Sequence, residues 1–186
     1  MSIVTLTPAA SEPVSLAEAK LFLRIDHDDE DALVAALIAA AREAVEAGCG
    51  RALVTRQVRE TQDDWDREPN GAVRLGLGPV SAIVAVRLVD AEGAATALSA
   101  ASYRLDGARD RPRLVFAAGP PTPLRASAGI EIDYDAGFST AASGAPAALR
   151  LAVLHIAAAL YEARQGEAAI PEAARALMRP FAPARL

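Results

Sequence analysis

The sequence predicts an α+β fold, with N- and C-terminal helices packed as one helical body and an antiparallel β-rich region inserted between them. Three observations predict it. A helix-capping motif and two adjacent rows of apolar residues at helical spacing occupy residues 15–47. Short extended runs, punctuated by Gly, Pro and Asn, fill residues 54–137. Helical spacing then returns after Pro146. The boundaries read from this pattern are an extension over 1–12, a helical body of 13–53 and 143–179, an inserted β-rich subdomain of 54–137, and a tail of 180–186.

Residues 1–12 are polar overall and contain Pro8. Ser15 then opens the first helix, with Glu18 three residues on, the S-x-x-E capping box in which each side chain satisfies an orphan backbone N–H. Leu16, Ala19, Phe22 and Leu23 supply its apolar face, and the helix is expected to end near Ile25. A longer helix is predicted from about Asp29 to Ala47, with Asp28 as N-cap and acids in the first turn, where the helix dipole favours them. Its two i, i+4 rows are Leu33, Leu37, Ala40, Ala44 and Val34, Ile38, Ala41, Val45, and Gly48 is the expected residue past its end.

The middle of the chain changes period. Val80, Val84, Val86 and Leu88 form a β-rich run that ends at Asp90-Ala91-Glu92-Gly93, a hairpin turn. Tyr103 and Leu105 alternate before Gly107, and Arg113–Ala117 is closed by Gly119-Pro120-Pro121. The cleanest strand is Gly129–Asp135, with Ile130, Ile132 and Tyr134 on one face and Glu131, Asp133 and Asp135 on the other. The block is an antiparallel sheet or small sandwich. Pro146 then starts a helix expected to reach Gln165 before Gly166, with Leu149, Val153, Ile156 and Leu160 facing the core. A last short helix starts near Pro171, carries Ala174, Leu177 and Met178, and breaks at Pro180, after which the tail is expected to be irregular.

Composition narrows the function. Alanine supplies much of the apolar content, so the core is thin and gains from burial against other subunits. Net charge is −5, with one lysine, Lys20, and 18 arginines, which does not suit a duplex binder held by phosphate neutralisation. The lone Cys49 excludes an intramolecular disulfide framework and reads as a small apolar filler. The first residues lack the basic start and apolar stretch of a signal peptide, and no run is apolar enough to span a bilayer.

Catalytic constellations are missing from the residues. The acidic run 26–31 puts Asp31 where a calcium loop needs glycine and Leu37 where it needs glutamate. His27 lies in that acidic loop, and His155 lies in an alanine-rich helix. Gly137-Phe138-Ser139-Thr140-Ala141 lacks the final glycine of a nucleophile elbow. Gly76-Leu77-Gly78 runs into Pro79 and a strand, so it cannot cradle a phosphate at a helix start. The reading is therefore no enzyme, no cofactor and no metal. Trp65, among acids, is either a surface anchor or a cap on one end of the sheet. Phe181, between prolines, is expected to dock on its own domain or a neighbour.

The ordered landmarks carry a resemblance. Glu12-Pro13-Val14-Ser15-Leu16-Ala17-Glu18-Ala19-Lys20, Leu23-Arg24-Ile25-Asp26 and the acids after it resemble the start of the phage head–tail connector (adaptor) family. Gly50-Arg51-Ala52-Leu53, Ile132-Asp133-Tyr134-Asp135-Ala136-Gly137-Phe138, Pro146-Ala147-Ala148-Leu149-Arg150 and Leu160-Tyr161-Glu162-Ala163-Arg164 continue it, over about residues 12–181. The alanine-rich linker 141–145 departs from it. The resemblance implies a homo-oligomeric ring, usually twelvefold, beneath the portal of a tailed phage or gene transfer agent. Such a ring extends the DNA channel without sequence-specific DNA binding and carries stopper or tail proteins. It further implies a place in the particle's neck after assembly in the bacterial cytoplasm. A stopper or tail-completion protein is the alternative within the same particle; a small-molecule-binding β domain is the alternative outside it. The expected partner contacts are Arg175, Leu177, Met178, Arg179, Phe181 and Trp65, with Arg175 and Arg179 alternatively solvated cations at the end of their helix. Removing residues 180–186 is expected to weaken portal attachment and to leave the fold intact.

Overall fold

The computed structural model describes residues 1–106, 112–163 and 169–182. Its chain divides into two compact units, Met1–Pro8 with Thr55–Gly137, and Ala9–Val54 with the chain from Phe138 onward. The first is a β unit and the second is helical.

The helical unit contains α1 (Leu16–Leu23), α2 (Asp31–Cys49), α3 (Ala147–Glu162) and α4 (Glu172–Met178). The capping box forms as the sequence predicts: Glu18 N–H donates to Ser15 Oγ at 3.2 Å, and Ser15 N–H donates to Glu18 Oε2 at 2.9 Å. The Glu18 carboxylate also receives the Arg150 guanidinium from α3, whose Nε donates to the Pro13 carbonyl at 2.9 Å. One motif thus caps α1 and ties α3 to it. These bonds, led by those from Ser15, hold the Glu18 carboxyl below its usual value. α1 stops at Leu23, before Ile25, because Arg24 takes the left-handed conformation.

Three further helix ends differ from the sequence expectation. α2 begins at Asp31 and not near Asp29, and Asp28 does not cap it. The Lys20 ammonium draws the carboxylates of Asp28 and Asp31 together and so takes the Asp28 side chain away from the helix end. At the other end α2 runs through Gly48 to Cys49, and Gly50 at φ 63° is the left-handed cap. Gly48 instead leaves room for the Met178 methyl group, which a Cβ there would strike. Pro146 stays extended outside α3, and its carbonyl accepts from the N–H groups of Leu149 and Arg150. The expected reach of α3 to Gln165 and Gly166 lies outside the described residues.

One of the two predicted rows of α2 is fully buried, and of the other only Leu37 and Ala44 pack partly against the core. Val34, Ile38, Ala41 and Val45 join Leu53, Leu149, Val153, Ile156 and Ala174 in one apolar cluster, while Leu33 and Ala40 are exposed. Each fully buried Val, Leu or Ile of this cluster contributes about 1.5–3 kcal/mol. Glu46 is buried beside them because it has partners on two sides. It takes Arg42 Nη1 at 3.1 Å and the Leu53 N–H at 2.8 Å, which anchors the chain just after α2.

The β unit holds β1 (Ser2–Thr7), β2 (Arg56–Gln62), β3 (Val73–Arg74), β4 (Val80–Val89), β5 (Ala95–Ala97), β6 (Tyr103–Asp106), β7 (Arg113–Phe116) and β8 (Ile130–Ala136). A five-stranded sheet runs in the order β1-β2-β8-β4-β5 and a three-stranded sheet in the order β3-β7-β6, all antiparallel. The turn after β4 closes through Gly93 N–H to the Asp90 carbonyl at 3.2 Å, as its sequence predicts. Gly107, expected to end β6, lies outside the described residues.

Three strands escape the sequence reading: β1, β2 and the two-residue β3. Residues 2–7, placed in a polar extension, form β1 against β2. Ile3, Val4, Thr5 and Leu6 are the signal that could have found it, being apolar or β-branched in succession. Strand β2, Arg-Gln-Val-Arg-Glu-Thr-Gln, has no apolar alternation, yet buries Val58, Glu60 and Gln62 on the face shared with Ile130, Ile132 and Tyr134. The buried polar groups satisfy one another. Glu60 accepts from Tyr134 Oη at 2.7 Å, Gln62 Nε2 at 2.6 Å and the Gly76 N–H at 2.9 Å. Tyr134 Oη in turn accepts from the Leu77 N–H at 3.3 Å, so the loop after β3 is fastened to the sheet. Burial first, then the adjacent Glu60 carboxylate, drives the Tyr134 phenol far above its usual value.

Candidate interaction surfaces

The residues expected to meet a partner separate into three groups. Arg175 and Arg179 are exposed, at 58 % and 79 % of their side chains, and among the described residues their ion-pair partner is the exposed Glu172, at 3.7 and 3.9 Å. Exposed pairs of this length contribute little, so both guanidinium groups remain available to an acidic surface. Leu177 and Phe181 are half-buried against the helical core.

Met178 and Trp65 are buried, which corrects their assignment to a contact surface. Met178 is 6 % exposed and lies over Gly48. Trp65 is 4 % exposed, stands edge-on to Phe116 at 5.1 Å, and donates from Nε1 to the Pro121 carbonyl at 2.6 Å. It caps the small sheet because its ring has an apolar slot and its N–H has an acceptor.

Phe181 docks on its own unit. Its ring is edge-on to Phe138 at 6.4 Å, and Arg51 Nε donates to its carbonyl at 3.2 Å. Pro180 and Phe181 are not irregular but belong to a short 3-10 turn, Arg179–Phe181. Removing residues from 180 onward would therefore take away a packed aromatic, so an unchanged fold is no longer the expectation. The rest of the tail, 183–186, lies outside the described residues.

The groups with chemical potential have structural partners. Asp28 and Asp31 neutralise Lys20, and among the described residues no cluster of three His, Cys, Asp or Glu is arranged to hold a metal ion. His27 is half-exposed, 4.0 Å from Asp29. His155 is half-buried, edge-on to Phe22 at 5.5 Å. Ser139 Oγ accepts from the Ala141 N–H at 3.1 Å, the geometry of a local turn. Cys49 is fully buried, and burial pushes its thiol up to about 11. Among the described residues no helix is long and apolar enough to cross a membrane.

Sequence reasoning missed a charged ladder on the second face of the large sheet. Asp133, in the central strand, takes Arg59 from β2 at 2.7 and 3.0 Å and Arg87 from β4 at 2.7 Å. Glu131 sits 3.3 Å from Arg59. Burial alone would raise the Asp133 carboxyl, but the hydrogen bonds from Arg59 and Arg87 outweigh it and hold the carboxyl below its usual value. The signal lay in the register, where Arg59 stands directly opposite Asp133, and no single strand's sequence shows that.

Several apolar surfaces stay open. Leu21 is 82 % exposed beside Phe22 on α1. In the β unit the edge strand β1 is exposed along its whole length.

Comparison with known proteins gives a consistent result. Residues 13–86 match the family described as phage gp6-like head–tail connector protein. Three solved structures match over 100 % of this chain and 97 % of theirs. One is from the neck of an empty gene transfer agent particle computed with C6 symmetry, at 30 % identity and a TM-score of 0.85. The second is from the virion of a native gene transfer agent particle, at 31 % identity and 0.84. The third is from the neck of a native particle computed with C12 symmetry, at 29 % identity and 0.80. No curated protein matches by sequence.

Proposed function

We infer the role from the family: this chain belongs to the phage head–tail connector proteins and is a structural adaptor of the particle neck. The observation that carries this is likeness over the full chain to gene transfer agent neck and virion chains, at 30–31 % identity. The finer reading is a homo-oligomeric ring, twelvefold, seated beneath the portal and carrying stopper or tail proteins. The C12 and C6 symmetries of the similar necks support a cyclic assembly. The acidic balance of the chain supports a channel wall that duplex DNA passes without adhering. The chain works by shape and assembly, without catalysis or cofactor, and its assembly takes place in the bacterial cytoplasm.

Within that reading, Arg175 and Arg179 are the best-placed groups for an acidic portal surface, with Leu177 and Phe181 beside them on the same short segment. Their exposure and the weakness of their pairing with Glu172 support this. Native mass spectrometry of the chain with purified portal rings tests the assignment. The expected result is a defined multiple of this chain per portal ring, and reduced loading for the Arg175→Glu/Arg179→Glu variant at unchanged melting temperature. No association across a range of salt concentrations counts against the adaptor role beneath a portal.

A further inference from the structure

We propose that the bare edge of β1 is a joint between copies of this chain, pairing with the opposite edge of the same five-stranded sheet, at β5, in the next copy. The inference rests on the ring reading above and locates one of its contacts. β1 ends the strand order, so one side is bonded to β2 and, among the described residues, the other side pairs with no strand and presents its N–H and C=O groups. All six residues are exposed and none is charged or proline; Val4 stands 58 % open. Free edges are normally blunted by lysine, proline or a bulge. Here the one irregularity falls between Thr5 and Thr7, which leaves Ser2–Thr5 regular. Such an edge recognises an extended backbone that completes its ladder.

Cyclic symmetry selects the occupant. In a ring each copy joins one surface to a different surface of its neighbour, whereas β1 against β1 would make a two-fold dimer and stop. The sheet's second edge is β5, Ala95–Ala97, also exposed and uncharged. Four antiparallel steps separate β1 from β5, so the two strands run in the same direction. A rotation of about 30° per copy in a C12 ring preserves that sense, so the joint is parallel. Two register shifts between β4 and β8, at Val80/Ala82 and Ile83/Ala85, fall before the stretch Arg87–Val89 that pairs with β5, so the ladder next to that edge is regular. Val4, opposite Arg59, and Ala97, opposite Arg87, lie on the same face of the sheet.

Paired cysteines in the full-length chain test the joint. Val4→Cys/Ala97→Cys and Val4→Cys/Ala95→Cys cover two registers, and strand spacing of about 4.8 Å suits a disulfide. Buried Cys49 stays out of the reaction. After assembly with and without portal rings and mild oxidation, one double variant is expected to give a covalent ladder extending past the dimer, while single variants stay monomeric. A ring seen by native mass spectrometry with no ladder from either double variant overturns the joint and leaves the ring reading standing. No ring at all overturns both. A dimer from Val4→Cys alone, or its cross-link to another neck protein, overturns the proposed occupant. A charge on the edge, Val4→Lys, is expected to leave the melting temperature unchanged and raise the concentration for half-assembly by on the order of fivefold. Unchanged assembly by Val4→Lys overturns the proposal as well.

Discussion

Among the described residues the helical unit buries apolar side chains almost throughout, with Glu46 its one buried charge, whereas the β unit buries Glu60, Gln62 and Asp133 among its apolar residues. Apolar burial is non-directional and tolerates repacking. A buried hydrogen-bonded network is directional, and each member left without a partner costs its full desolvation. The helical unit is therefore the region that accommodates sequence change in its core, and the β unit is the region whose register is specified. Conveniently, the only cysteine reports on the first and the only tryptophan on the second.

The largest expected effect separates the two units. Leu149→Ala opens a cavity in the helical core and should cost about 2–5 kcal/mol. In urea, thiol labelling of Cys49 should then occur at lower denaturant. If Trp65 fluorescence shifts by the same amount, the units unfold as one and the comparison fails.

Next is the charged ladder. Asp133→Ala leaves Arg59 and Arg87 facing a buried gap, at a cost of about 2 kcal/mol after allowing for their partial exposure. The change should appear in Trp65 fluorescence. Acid acts on the same group. The Asp133 carboxyl lies below its ordinary value of 3.8 in the folded chain, so the unfolded chain binds more protons. Its stabilisation is complete above that ordinary value and is lost as pH falls through the folded one. Asp133→Asn should flatten the fall in stability below about pH 4, measured by urea titration at several pH values. An undiminished slope would show that other carboxylates carry the acid response.

Tyr134→Phe removes one donor from Glu60 and leaves the Leu77 N–H without its acceptor, for about 1–3 kcal/mol. A loss below that range, with hydrogen exchange at Gly76 and Leu77 unchanged, would mean that water replaces the phenol. The smallest effect is at the helix start: Ser15→Ala should cost about 1 kcal/mol through the lost cap, read from the Cys49 labelling transition.

The helices were legible because their signals are local. The Ser15–Glu18 box, the Val34–Val45 row and the Leu149–Ile156 row each sit within a few turns of one segment. The ends were less legible. Asp28 looked like a cap until Lys20, eight residues earlier, claimed its carboxylate, and Gly48 looked like a stop although Gly50 performs that role. In the β unit, β8 could be read from its alternation. β2 could not, since its inward residues include Glu60 and Gln62, whose burial depends on Tyr134, 74 residues away from Glu60. The residues expected at a partner contact divide the same way. Arg175 and Arg179 lie on an exposed turn, but Trp65 and Met178 looked available only because Phe116, Pro121 and Gly48 are distant in sequence.

By itself the sequence determined the α+β class, the helical segments, the central strand and the family, because capping, period and ordered motifs are properties of consecutive residues. Tertiary structure alone decided which face of α2 is buried, that residues 2–7 complete a sheet, and that Asp133, Glu60 and Trp65 are interior. Each of those outcomes depends on a partner brought close by folding, and a group's burial is set by what satisfies it rather than by its own residue type.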